Sequence, residues 1–173
     1  MSKAFLRESD FDDLPDLPPT LPLLPPGSRN YLTAAGARGL RSELEGLLDG
    51  ARPPLATAAP HDAEAKRELQ HLDQRIRYLQ ESLRTAEIVE PPSEGLDTVH
   101  FGAKVTVRDA AGNESEYRIV GVDETNFAEG WVSWTSPLAR ALVNRRRGQT
   151  ISFQAPGGIK ELTIVAIRYD VRD

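Results

Sequence analysis

Leu69, Leu72, Ile76, Leu79, Leu83 and Ala86 follow one another at steps of 3, 4, 3, 4 and 3. No other feature restricts the fold of this chain as strongly. Steps alternating between three and four put all these apolar residues on one narrow stripe of a helix, the a/d seam of a coiled coil. A stripe of this length must be covered by a partner. The segment that precedes it supplies one. Leu40, Leu44, Leu47 and Leu48 share a face of a second helix running from Thr33, a plausible N-cap, to Gly50. Arg52-Pro53-Pro54 is expected to end that helix, because a residue before proline avoids the α region. The helix carrying the seam is expected from His61 to Glu87, roughly 40 Å at 1.5 Å per residue. Asp62/Lys66 and Asp73/Arg77 stand at i,i+4 on it, acid before base. A short connection makes the two helices antiparallel. An antiparallel coiled-coil hairpin over residues 31–90 is therefore predicted.

The stretches on either side have different grammar. Residues 1–30 hold six of the thirteen prolines, which excludes a packed helix or central strand there. Acids interleave with Phe5, Phe11 and leucines, and the composition predicts a disordered leader. "EPPSEG" at 90–95 is a linker. Beyond it the apolar period falls to two. "KVTVRD", "EYRIVGV", "WVSW", "QTISFQ" and "KELTIVAIRYD" read as strands, with turns at "AAGN" and "APGG". "SPLARALVNRRRG" reads as one helix with Ser136 as N-cap, Pro137 at its first position and Gly148 after its end. The class is α+β: a helical hairpin followed, over 96–173, by a small antiparallel sheet carrying one helix.

Chemistry-bearing residues are sparse. The chain has no cysteine, which excludes a disulfide scaffold, a thiolate metal site and a cysteine nucleophile. His61, His71 and His100 lack ligand spacing, so no metal and no cofactor is expected. "GARG" and "GGIKE" lack the context of a phosphate loop. Asp123 and Glu124 are adjacent, and on a strand end they would point to opposite faces as solvated turn residues. The net charge of −5 argues against general nucleic-acid binding by the whole chain. Basic residues still cluster locally. Lys66, Arg67, Arg75, Arg77 and Arg84 lie on the seam helix, with Arg67, Arg77 and Arg84 off the seam. Arg145, Arg146 and Arg147 form a run after the short helix. Either group could meet nucleic-acid phosphates or an acidic protein surface. No apolar run is long enough to cross a membrane, and the first residues lack the apolar core of a secretory signal, so a cytoplasmic setting is expected.

"FGAKVTVRDAAGNESEYRIVGVDE" followed by "SPLARALVNRRRGQTISFQAPGG" resembles the C-terminal domain of the Gre factors, the bacterial transcript cleavage factors. "SRNYLTAAG" and "LDQRIRYLQESLRTAEIVE" resemble the start of their N-terminal domain and the returning arm of their coiled coil. The resemblance runs from Asn30 to Tyr169 and is closer to the B-type paralogue. It implies an FKBP-like C-terminal domain gripping the rim of the RNA polymerase secondary channel, and a coiled coil entering that channel. The implied protein is a monomer, with possible RNA contact and no membrane. For docking, the residues singled out are Ser136, Pro137 and Arg140 at the helix start, with Trp134 beside them. Arg67, Arg75, Arg77 and Arg84 are singled out for contact with nucleic acid or the channel.

In cleaving members the tip of the coil carries an Asp-x-x-Glu that helps to hold magnesium beside the polymerase's own aspartates. An ungapped count from "RIRYL" puts those two positions on Leu55 and Ala58, and neither can ligate a metal. The hairpin is also about a dozen residues shorter than in cleaving members, roughly 9 Å less reach. The resemblance therefore implies a regulator that binds polymerase but is not itself catalytic. Two alternatives stay open. One is an active cleavage factor using Asp62 and Glu64 at the tip. The other is an FKBP-like peptidyl-prolyl isomerase, which rests on fold analogy alone.

Overall fold

The computed structural model describes Leu24 and residues 27–170. The expected leader falls almost wholly outside the described residues. Chain order is β1 (Asn30–Leu32), α1 (Ala34–Glu45), a π-helical turn (Gly46–Ala51), α2 (Arg52–Ala58), α3 (Ala63–Thr85) and β2 (Ala86–Ile88). The second half is β3 (Lys104–Arg108), β4 (Glu114–Val120), β5 (Trp131–Ser133), α4 (Pro137–Leu142), β6 (Thr150–Ala155) and β7 (Gly158–Arg168).

Thr33 caps α1 as its sequence predicts, its hydroxyl accepting from Gly36 N–H at 3.0 Å. The first helix does not stop at Arg52-Pro53-Pro54. It runs on through the π turn into α2, a helical length of roughly 37 Å. The wider turn makes this possible. Arg52 N–H donates to Leu47 O, five residues back, and the two prolines then occupy the first turn of α2, where missing donors cost little. The extra residue also rotates the apolar stripe. Leu40, Leu44 and Leu47 stay on the inner face, Leu55 takes the next inner position, and Leu48 is turned out to 38% exposure.

α3 begins two residues later than expected and ends at Thr85, so Ala86 belongs to β2. Its seam faces inward as the spacing requires. Ile76 and Leu79 are buried, and Leu69, Leu72 and Leu83 are half-buried. Leu79 meets Leu32, Ala37 and Leu40 in the core of the helical pair. Cross-pairs fix an antiparallel alignment: Arg75 with Glu43 at 2.7 Å and Arg52 with Asp73 at 2.8 Å. The second pair replaces the expected Asp73/Arg77 contact. With Asp73's carboxylate turned to the facing helix, Arg77 Nε donates to Asp73's carbonyl oxygen instead, at 3.3 Å. At the root, β1 and β2 form a two-stranded parallel ladder from Asn30↔Ala86 to Leu32↔Ile88, a feature too short for periodicity to reveal.

The second half is a five-stranded sheet in the order β5-β4-β3-β7-β6. Its core is built from Val105 and Val107 of β3, Ile119 of β4, Ile151 of β6 and Leu162 and Ile164 of β7. Leu138, Ala139 and Leu142 of α4 close one face. The expected all-antiparallel sheet needs one correction, since β5 runs parallel to β4 with Arg118↔Trp131 in register. Two 3₁₀ turns, Val122–Glu124 and Phe127–Glu129, carry the chain back along β4 before β5 starts. A bulge in β7 opposite Thr106 and Val107 shifts the alternation of that strand. Gly148 does not end α4, which stops at Leu142. It lies in the turn before β6 at φ 87°, six residues downstream.

Candidate functional site

Because the helix passes through Pro53-Pro54, Leu55 and Ala58 belong to α2 rather than to a loop. Leu55 is half-buried between the helices. The reversal is confined to residues 59–62, closed by His61 N–H and Asp62 N–H on Ala58 O at 2.9 and 3.1 Å. Asp62 is the N-cap of α3. Its Oδ1 accepts from Glu64 N–H at 2.8 Å and from Ala65 N–H at 3.4 Å. These bonds satisfy two of the helix's unpaired donors. Glu64 stands exposed in the first turn, where its charge favours the helix dipole. Among the described residues, no three His, Cys, Asp or Glu side chains come together in a way that could hold a metal.

The cations of α3 split into two kinds. Arg75 is spoken for: its guanidinium takes both oxygens of Glu43, at 2.7 and 2.9 Å, and lies over the Tyr78 ring at 5.5 Å. Arg84 pairs with Glu81 one turn back, at 2.6 Å and in full solvent, a contact worth little on its own. Arg67 and Arg77 are exposed.

The residues expected at the docking corner also separate. Ser136 Oγ accepts from Ala139 N–H at 3.2 Å, fixing the start of α4. Pro137 and Arg140 are exposed. Trp134 turns inward. Its ring meets Tyr31 edge-on at 5.1 Å and packs against the sheet core. It therefore ties the root of the helical pair to the sheet.

That junction holds the main feature the sequence reading missed. Asp123 and Glu124 are not solvated turn residues. Glu124 Oε2 accepts from Thr33 N–H at 2.9 Å and from Gly121 N–H at 3.0 Å, while Oε1 accepts from the Thr33 hydroxyl. Asp123 accepts from the Tyr78 hydroxyl and, at 2.5 Å, from Ser82 Oγ. Burial, and then the bond to Asp123, hold the Tyr78 phenol protonated well above its usual range. Two adjacent carboxylates thus grip both helices of the pair. They lie in a 3₁₀ turn rather than at a strand end, so strand alternation does not govern them, and the partners of both are protein.

The approach leaves no room for a Cβ at Gly36 or Gly121 while the Glu124 carboxylate keeps its place. A Cβ at Gly36 would sit 2.1 Å from Glu124 Oε1, and one at Gly121 would sit 2.2 Å from Tyr31 O. The signal available in the sequence was indirect: a glycine beside each half of the contact, in "AAGARG" and "VGVDE".

These features describe a two-part protein, a helical pair clamped by its root to a sheet domain. Among the described residues, no helix is long and apolar enough to cross a membrane. Residues 92–169 match the family described as "Transcription elongation factor, GreA/GreB, C-term". A transcription elongation factor GreB of Neisseria meningitidis is 35% identical, over 82% of this chain and 95% of its own. A GreB of Pasteurella multocida is 38% identical, with 82% and 97% covered. A GreA of Alkalilimnicola ehrlichii is also 38% identical, with 82% and 99% covered. The crystal structure of GreA factor homolog 1 of Thermus thermophilus matches at 25% identity and a TM-score of 0.39, over 82% of this chain and 99% of that one. The chain belongs to the GreA/GreB family of transcription elongation factors.

Proposed function

We propose that this chain binds bacterial RNA polymerase and places its helical pair in the secondary channel without stimulating transcript cleavage. The observation that carries the reading is the make-up of the tip. By an ungapped count from "RIRYL", the two positions where a cleaving relative would carry metal ligands are Leu55 and Ala58, in α2 just before the reversal. Asp62, the nearest acid after the reversal, already caps α3 through two backbone bonds. A magnesium site needs several oxygen ligands placed within a few tenths of an ångström. One capping carboxylate and one exposed Glu64 do not supply that set. By occupying the channel, the protein would regulate elongation by competing with cleaving relatives.

Backtracked elongation complexes incubated with the protein and magnesium test this reading. Transcripts should keep their length, and cleavage by an added active Gre factor should slow in proportion to the protein present. Shortened transcripts that disappear with D62N and E64Q together would instead establish cleavage through those two acids.

A further expectation follows for the tip. Leu55→Asp with Ala58→Glu should leave transcripts uncut, because ligands without reach do not build a site. Robust cleavage by that variant would show that the tip already arrives at the polymerase's metal. Thermal unfolding belongs beside this assay, since Leu55 is half-buried.

Docking is assigned to the start of α4, where Ser136 sets the corner and Pro137 and Arg140 face solvent. Arginine is a common interface anchor. Arg140→Glu should weaken binding to core polymerase by more than about 1 kcal/mol while leaving the thermal midpoint of the free protein nearly unchanged. Equal losses of binding and folding would make Arg140 structural.

A further inference from the structure

The three consecutive arginines after α4 take no part in the function proposed above. They differ from four of the five cations in the strands of the sheet, which are paired; the fifth, Lys160 of β7, is exposed and stands alone among the described residues. Arg108 pairs with Glu114, Arg118 with Asp170, Arg168 with Glu116 and Lys104 with Asp170. Arg145, Arg146 and Arg147 are exposed, and among the described residues their guanidinium groups form neither an ion pair nor a hydrogen bond. Among the described residues, no acid neutralises this corner.

The backbone beneath the three side chains is pinned at each residue. Val99 N–H donates to Arg145 O at 2.8 Å, and Arg145 N–H to Leu142 O at 3.0 Å. Arg146 N–H donates to the Gln149 side-chain oxygen at 2.8 Å. Arg147 N–H donates to Asp97 O at 3.2 Å. Arg146 also forms a bridge with Thr98, and Asn144 just before the run holds φ 64°. The turn is therefore a fixed platform presenting three adjacent guanidinium groups that no acid among the described residues neutralises. Fixing the backbone in advance removes its share of the ordering cost of binding. Guanidinium forks match phosphate oxygens in pairs, which a run of lysines would not do.

We propose that Arg145, Arg146 and Arg147 form a phosphodiester-binding corner on the sheet domain, taking the backbone of a nucleic-acid strand without reading its bases. The corner is separate from the helical tip and from Arg140, and it does not rest on the assignment of the secondary channel. Phosphate contacts carry no sequence information, so RNA and DNA should bind alike at this site.

The test uses the full chain and three fluorescently labelled 20-nucleotide probes: single-stranded RNA, single-stranded DNA and duplex DNA. Anisotropy is followed from low to moderate salt. The intact protein should bind all three, with affinity falling steeply as salt rises. R145S/R146S/R147S should lose about tenfold or more in affinity at low salt, and its log–log salt slope should shrink by about two. R41S/K160S, which removes two exposed charges from α1 and β7, should keep most of the affinity and the slope. Circular dichroism should show unchanged folding for both variants, since these side chains are exposed. Equal binding by the triple serine variant and the intact protein would overturn the proposal. So would an equal loss in R41S/K160S, or displacement of the probe by polyglutamate of matched charge as readily as by unlabelled RNA. A strong preference for RNA over DNA, or the reverse, would likewise overturn a contact made through phosphate alone.

Discussion

Leu79→Ala is expected to destabilise the protein by about 2–4 kcal/mol in denaturant unfolding, with the slope of the transition unchanged. Leu79 is fully buried and stands where the helical pair meets its root, against Leu32, Ala37 and Leu40. Removing three carbons there forfeits their transfer energy and leaves a void that rigid neighbours close only in part. β1 is anchored on one side by its ladder with β2, so Leu32 has little freedom to follow. Ile76→Ala, one turn earlier and 6% exposed, belongs in the same range. Leu48→Ala supplies the control. The π turn rotates Leu48 outward, and its truncation should cost less than about 1 kcal/mol. Equal effects at Leu79 and Leu48 would mean that the two helices do not pair along this seam.

Glu124→Ala should cost about 2–4 kcal/mol, large for a residue in a short polar turn. The carboxylate accepts from two backbone N–H groups and a hydroxyl. Truncation leaves those donors in a part-buried junction with no replacement, and unmet donors cost more than a typical hydrogen bond returns. The Thr33 N–H is the first orphan donor of α1, so the start of that helix should loosen as well. Hydrogen exchange at residues 34–37 should quicken more than exchange in β3 and β7. Glu124→Gln keeps one acceptor oxygen and should cost about half as much. A cycle pairing Glu124→Ala with Thr33→Ala should show coupling above about 0.5 kcal/mol. Additive effects would mean that the two halves of the chain are held elsewhere, for instance at Tyr31 and Trp134.

The seam, the N-caps at Thr33 and Ser136, the change of period beyond the linker and most strand positions were legible in the sequence. Each is a local property. A helix start depends on one side chain and the amides three residues on, and a seam depends on a period of 3.5. The lack of a carboxylate at Leu55 and Ala58 was equally plain, because it is read directly from the sequence. Where local rules compete, the tertiary structure decided. A proline pair can end a helix or begin a new segment of one. The π turn before Arg52 selected the second outcome, lengthened the first helix and turned Leu48 outward. β5 reads as a strand by itself, but its direction was set by two 3₁₀ turns that no period marks.

The clamp lay furthest beyond the sequence. Glu124 meets a partner 91 positions away, and Asp123 meets partners 41 and 45 positions away. As letters, both acids resemble any solvated pair after a strand. Their role depends on where the root of the helical pair comes to rest on the sheet. Long-range packing of Tyr31, Phe101 and Trp134 and the bare backbone at Gly36 and Gly121 set that position, and no local propensity encodes it.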